Sequence, residues 1–229
     1  MKETYHNILD AIKYATSDFH IILIIGSILF LTSLINKWTD EFTFIKLSNI
    51  LMVFVIGYGS YISLCTVKGQ DKPPLFVNIK KLFWEGVKKL TIISIYSFFL
   101  SYFYDKATIY IHNNELLLFI ATVIIFLVIW LLLIGGLINR FFNDGKFFSA
   151  FNLKEIVEFF LNCSLKRLLH LLIGVMISQL FALSVFVNFD KNLSVFEIFY
   201  SILTFFLAPY LFIATKRLIG LNIKELLDK

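Results

Sequence analysis

LLLFIATVIIFLVIWLLLIGGLI, the run Leu116–Ile138, contains a single polar residue, Thr122. A helix rises about 1.5 Å per residue, so about 20 apolar residues cross a hydrocarbon core about 30 Å thick. The run is too long for a strand and shows no alternation of apolar and polar positions. A transmembrane barrel needs many alternating segments of about ten residues, and the sequence has none. The run therefore reads as a bilayer-crossing helix, and the rest of the chain is read outward from it.

Five further stretches resemble it in length and apolarity: Phe19–Ile35, Ile45–Cys65, Val87–Tyr104, Leu168–Val187 and Leu193–Thr215. The first and the Val87–Tyr104 stretch are short and would stand upright or thin the bilayer. Composition agrees. Apolar residues make up 59% of the 229 and charged residues 16%, and the mean hydropathy is +0.81. A soluble domain is less apolar and carries about 25% charged residues. The 10 Gly, 3 Pro and 2 Cys exclude collagen-like, low-complexity and disulfide-scaffold classes. The expected fold is all-α, a single membrane domain over 1–229 with six transmembrane helices.

The cations test this map. Of the 21 Lys and Arg, all but Lys37, Lys46, Lys106 and Lys191 fall in the four segments that six spans leave on one side. Cytoplasmic loops carry the excess of Lys and Arg, so both termini are expected in the cytoplasm of a plasma-membrane protein. One span too many or too few would swap the later loops and destroy the asymmetry. The start of the chain, with mixed charges and no small-residue cleavage site after the first span, is expected to remain as an anchor rather than be removed. The net charge of +5 lies spread over four segments, which suits an anionic lipid surface and not nucleic acid.

The cytoplasmic segments carry amphipathic helix patterns. Phe76, Ile79, Leu82, Phe83, Val87 and Leu90 oppose Lys80, Lys81, Glu85, Lys88 and Lys89. Leu153, Ile156, Val157, Phe160 and Leu165 oppose Lys154, Glu155, Glu158, Asn162 and Lys166. Weaker versions occupy the N-terminus, around Tyr5–Ile12, and the tail, around Leu218–Leu227. Such helices lie in the headgroup plane or pack on the span ends. The order amphipathic helix, span, short outer loop, span suggests a threefold repeat over 5–70, 76–146 and 153–229. The second span of each unit holds a weak spot, Gly57-Tyr58, Gly135-Gly136 or Pro209, read as a helix break or a packing site.

Pro74-Leu75-Phe76, Leu82-Phe83 and Gly86-Val87-Lys88, following Gly57-Tyr58 and Gly69, carry a family resemblance. So do Lys13-Tyr14 with Ser17-Asp18 before the first span, and Ala150-Phe151-Asn152-Leu153 with Glu155-Ile156 before the fifth. The chain resembles the archaeal integral membrane protein family catalogued as domain of unknown function 4013. It departs from the pattern at Ile79, at Val77 and after Tyr96. The resemblance implies a multi-pass membrane protein and supplies no catalytic residues.

No ionisable residue lies deep in an expected span, where it would mark an ion or proton path. Glu197, one turn into the sixth, reads as an interfacial carboxylate near a helix start. His6, His20, His112 and His170 are scattered, and Cys65 and Cys163 form no Cys-x-x-Cys pair, so no metal or other cofactor is expected. No phosphate loop and no nucleophile elbow are present. Gly174 and Ser178 belong to a small-residue stripe that lets a second helix approach. Lys166, Arg167 and His170 form a basic cluster at the inner end of the fifth span. With Lys80, Lys81, Lys88 and Lys89 they are the candidate contacts for anionic lipid or a protein partner. The expected function is non-enzymatic: a membrane scaffold or a lipid- or partner-binding protein. Its partners would be membrane lipids, an unidentified protein or further copies of itself. The alternative is a permease for a lipid or small apolar solute, its path lined by Tyr58, Gly135 and Pro209.

Overall fold

A computed structural model describes residues 2–38, 47–76, 78–111, 114–163 and 195–227. Among these residues the chain is helical, without strands. Seven α-helices follow in order: α1 Lys2–Thr16, α2 Phe19–Trp38, α3 Leu47–Val67, α4 Ile79–Tyr110, α5 Glu115–Phe142, α6 Leu153–Asn162 and α7 Val195–Leu227. A single 3-10 turn, Phe148–Phe151, precedes α6.

Local sequence sets the helix ends. Asp18 accepts the backbone N–H of His20 at 3.1 Å and starts α2. Asn78 accepts from Lys81 N at 3.2 Å, Asn114 from Leu117 N at 3.0 Å and Asn152 from Glu155 N at 3.4 Å, so an Asn opens each of α4, α5 and α6. α3 stops at Gly69, whose φ of +81° an L side chain rarely adopts. Gln70 N–H then reaches Cys65 O and Gly69 N–H reaches Thr66 O, a paired arrangement that satisfies the last carbonyls. α5 ends through left-handed Asp144 and Gly145, which return the Gly145 N–H to Arg140 O at 2.8 Å.

Three of the described helices are long and apolar enough to cross a membrane: Leu47–Val67, Glu115–Phe142 and the Phe205–Glu225 part of α7. α1 and α2 together make a fourth candidate, bent by 78° between Thr16 and Phe19. α4 does not qualify, because Lys88, Lys89, Asp105 and Lys106 bracket a stretch interrupted by serine and tyrosine. The fifth expected span, Leu168–Val187, lies outside the described residues.

The chain forms two compact units. The first holds residues 1–87 and 164–229, the second 88–163. The core of the first joins Tyr14, Ile21 and Ile25 to Tyr58, Ile62, Leu82 and Ile213. Its helices approach closely where side chains are small. A Cβ at Gly57 would lie 1.9 Å from Leu82 O, and one at Gly86 would lie 2.1 Å from Val53 O. The core of the second is Ile92, Tyr96 and Ala150, flanked by Leu133, Leu137 and Phe151.

Both glycine pairs in the expected second spans are therefore packing sites and not breaks. α3 runs unbroken through Gly57 and Gly59, and α5 through Gly135 and Gly136. The helical assignment also continues through Pro209 in α7.

Candidate functional site

The polar chemistry of the first unit gathers at Arg217, on α7. Its side chain is 5% exposed. Nε donates to Asp10 Oδ2 at 2.9 Å, Nη2 lies 3.6 Å from Asp71 Oδ1, and the guanidinium stacks 4.4 Å from the centroid of the Tyr14 ring. Nη1 donates to the Gln70 carbonyl and to Thr66 Oγ1. The turn at Gly69 that ends α3 thus aims a carbonyl at the arginine. Burial pushes the Tyr14 hydroxyl well above the ordinary phenol range, opposed by the Arg217 charge. A short hydrogen bond from Asn7 to Glu225 makes a second tie between α1 and α7. An arginine so enclosed is a clamp: planar, permanently charged and donating in several directions at once.

The second unit has its own buried arginine, Arg140 on α5, which is 1% exposed. Its Nε donates to Gly145 O at 3.0 Å. Beside it in sequence, Asn139 Nδ2 donates to Glu155 Oε2 at 2.7 Å and to Ser149 O at 2.8 Å. Asn143 Nδ2 reaches the same Glu155 oxygen at 3.1 Å. Two amides and one carboxylate fasten α6 to the end of α5. Ile156 covers Gly135, where a Cβ would meet its Cγ2 at 2.6 Å.

The candidate residues divide clearly. Lys80 and Lys81 stand exposed on the first turn of α4, with Lys81 Nζ 4.3 Å from the centroid of the Tyr61 ring. Lys88 and Lys89 are half-buried. Tyr58 is fully buried, donates to Pro74 O at 2.9 Å and packs against Phe76. Gly136 lies under Ala150 O and the Tyr96 hydroxyl. Pro209 is buried. Lys166, Arg167, His170, Gly174 and Ser178 lie outside the described residues. Arg140 and Arg217 entered the sequence reading only as two of the 21 cations. Their equivalent placement, at the inner ends of two expected second spans, is the signal that singles them out.

The apolar side chains of the amphipathic helices are not all inside. On α4 the cations Lys80 and Lys81 neighbour exposed Ile79 and Trp84. On α6, Ile156 is buried against α5 while Leu153, Val157 and Leu161 are exposed. A helix with cations and apolar groups both outward suits the headgroup boundary, where each finds its solvent. Among the described residues no three His, Cys, Asp or Glu side chains group so as to hold a metal ion.

Residues 42–189 match the model of a family described as protein of unknown function (DUF4013). No curated protein and no solved structure matches the chain.

Proposed function

The chain belongs to the DUF4013 family, and on that premise we propose that it is a non-enzymatic, six-span plasma-membrane protein. Both termini face the cytoplasm, and a collar of amphipathic helices there binds anionic lipid. The observation that carries the reading is the start of α4, where Lys80 and Lys81 are exposed beside exposed Leu75, Ile79 and Trp84. Apolar groups at that level reach the acyl boundary and the ammonium groups reach phosphate, each lysine contributing about 1 kcal/mol near an anionic leaflet.

A threefold repeat is supported by how the amphipathic helices are placed. The start of α4 packs on α3 through Gly57 and Leu82, and α6 packs on α5 through Gly135 and Ile156. α1 is tied to α7 through Asp10 and Arg217. Each amphipathic helix thus rests on the second span of the unit before it, with the first resting on the third. Tyr58 donates to Pro74 O and Tyr96 to Ala150 O, two carbonyls that lie just ahead of α4 and α6. Tyr58 and Gly135, which a permease would place on its path, are covered by neighbours in their own units.

The full chain in nanodiscs of mixed phosphatidylcholine and phosphatidylglycerol tests the collar. The bound lipid shell is expected to be enriched in phosphatidylglycerol, with enrichment falling on K80Q/K81Q and in high salt. A shell with the bulk composition in both proteins contradicts it.

A further inference from the structure

The outward face of α6 has a different chemistry from the lysine collar. At about 100° per residue, the helix divides into three sectors. Ile156, Phe159 and Phe160 form the first. Ile156 is buried against Gly135, and Phe159 lies 5.7 Å from Phe142, ring centroid to ring centroid. Leu153, Val157 and Leu161 form the second, 55%, 49% and 79% exposed. Lys154, Glu158 and Asn162 form the third, with Lys154 Nζ 4.0 Å from Glu158 Oε1. Glu155 stands between the first and third sectors and is held by Asn139 and Asn143. Phe148, in the preceding turn, is 82% exposed.

These sectors meet three surroundings. The first meets protein and the third meets water. The second is apolar, continuous along the helix and left exposed by the described residues. Depth decides what covers it. α6 is seated at Gly135, about 30 Å along the α5 axis from Glu115, which is the thickness of a hydrocarbon core. Over the first half of α5, exposed apolar side chains such as Leu116, Phe119, Ile124 and Val128 spread over more than half of the helix circumference, a wide apolar face that suits contact with acyl chains. α6 therefore joins α5 where that apolar zone ends.

We infer that α6 is an interfacial wedge. It inserts Leu153, Val157 and Leu161, with Phe148, among the acyl chains of the leaflet at the inner end of α5. Its only cation within Leu153–Asn162 is Lys154, set against Glu155 and Glu158, so insertion is driven by apolar contact and does not need anionic headgroups. The ligand class is the acyl chain itself. This rests on the membrane reading above and extends it from headgroup charge to leaflet insertion.

The test uses the full chain with Cys65 and Cys163 replaced by alanine and one cysteine introduced at a time. I120C, K154C, V157C, E158C and L161C are labelled with a polarity-sensitive fluorophore and reconstituted in neutral phosphatidylcholine carrying brominated acyl chains. Quenching at positions 157 and 161 is expected to exceed that at 154 and 158 by roughly twofold or more, for a face set about 5–10 Å deep. The same pattern is expected when phosphatidylglycerol is added. Equal quenching at 157 and 158, with 120 quenched, overturns the wedge and leaves the span reading intact. No quenching at 120 overturns both. A wedge pattern in a protein whose lipid shell shows no phosphatidylglycerol enrichment supports the wedge and removes the collar.

Discussion

Arg217 Nε and Asp10 Oδ2 lie 2.9 Å apart, joining residues 207 positions apart in sequence. The arginine is almost wholly buried and the aspartate only partly so. Removing the arginine strands Asp10 and the Gln70 carbonyl. Removing the aspartate leaves the guanidinium its other acceptors. R217M is therefore expected to destabilise the protein by about 3 kcal/mol and D10N by about 1 kcal/mol. Thermal unfolding of both variants and of the double mutant in detergent checks this. The double mutant should lose less than the sum of the two.

Gly57 and Gly69 separate two uses of glycine. At Gly57 a Cβ would strike the Leu82 carbonyl, so α3 and α4 must part and G57A is expected to cost about 3 kcal/mol or more. At Gly69 the nearest atom to an added Cβ is Lys224 Nζ at 3.4 Å, and only the left-handed backbone resists. G69A is expected to cost about 1 kcal/mol. Equal melting temperatures for the two variants would contradict the close crossing of α3 and α4.

Tyr58 and Tyr96, both buried, each donate one hydrogen bond to a carbonyl at the entry to the following amphipathic helix. Y58F and Y96F are each expected to cost about 1 kcal/mol, the net worth of such a bond. Thermal unfolding of both variants in detergent checks this. An unchanged midpoint in either variant contradicts a stabilising role for that bond.

Much of this architecture is legible in the sequence because bilayer and helix lengths are fixed by physics. The Leu116–Ile138 run sits inside α5, and Ile45–Cys65 nearly coincides with α3. The asparagine caps also lie where apolar periodicity begins. Four features escape a one-dimensional reading. Gly57 and Gly135 read either as breaks, because helix propensity penalises glycine, or as packing sites, and only the opposing Leu82 and Ile156 decide for a crossing. The second amphipathic segment and the expected third span are one 32-residue helix, α4, since Lys88 and Lys89 interrupt its apolar pattern without disturbing its backbone. The apolar face of α6 looks single in sequence. Its division into a protein side and an outward side depends on where α5 lies. The Arg217 clamp depends on partners far away in the chain, which spacing cannot reveal.

The orientation of the lysine-bearing helices is the claim on which the lipid collar and the α6 wedge both stand. Single cysteines at positions 80 and 154 in the full chain, treated with a membrane-impermeant maleimide, test it most directly. In intact cells neither is expected to react, and in inverted vesicles both are. Labelling of either position from outside intact cells would contradict the six-span map.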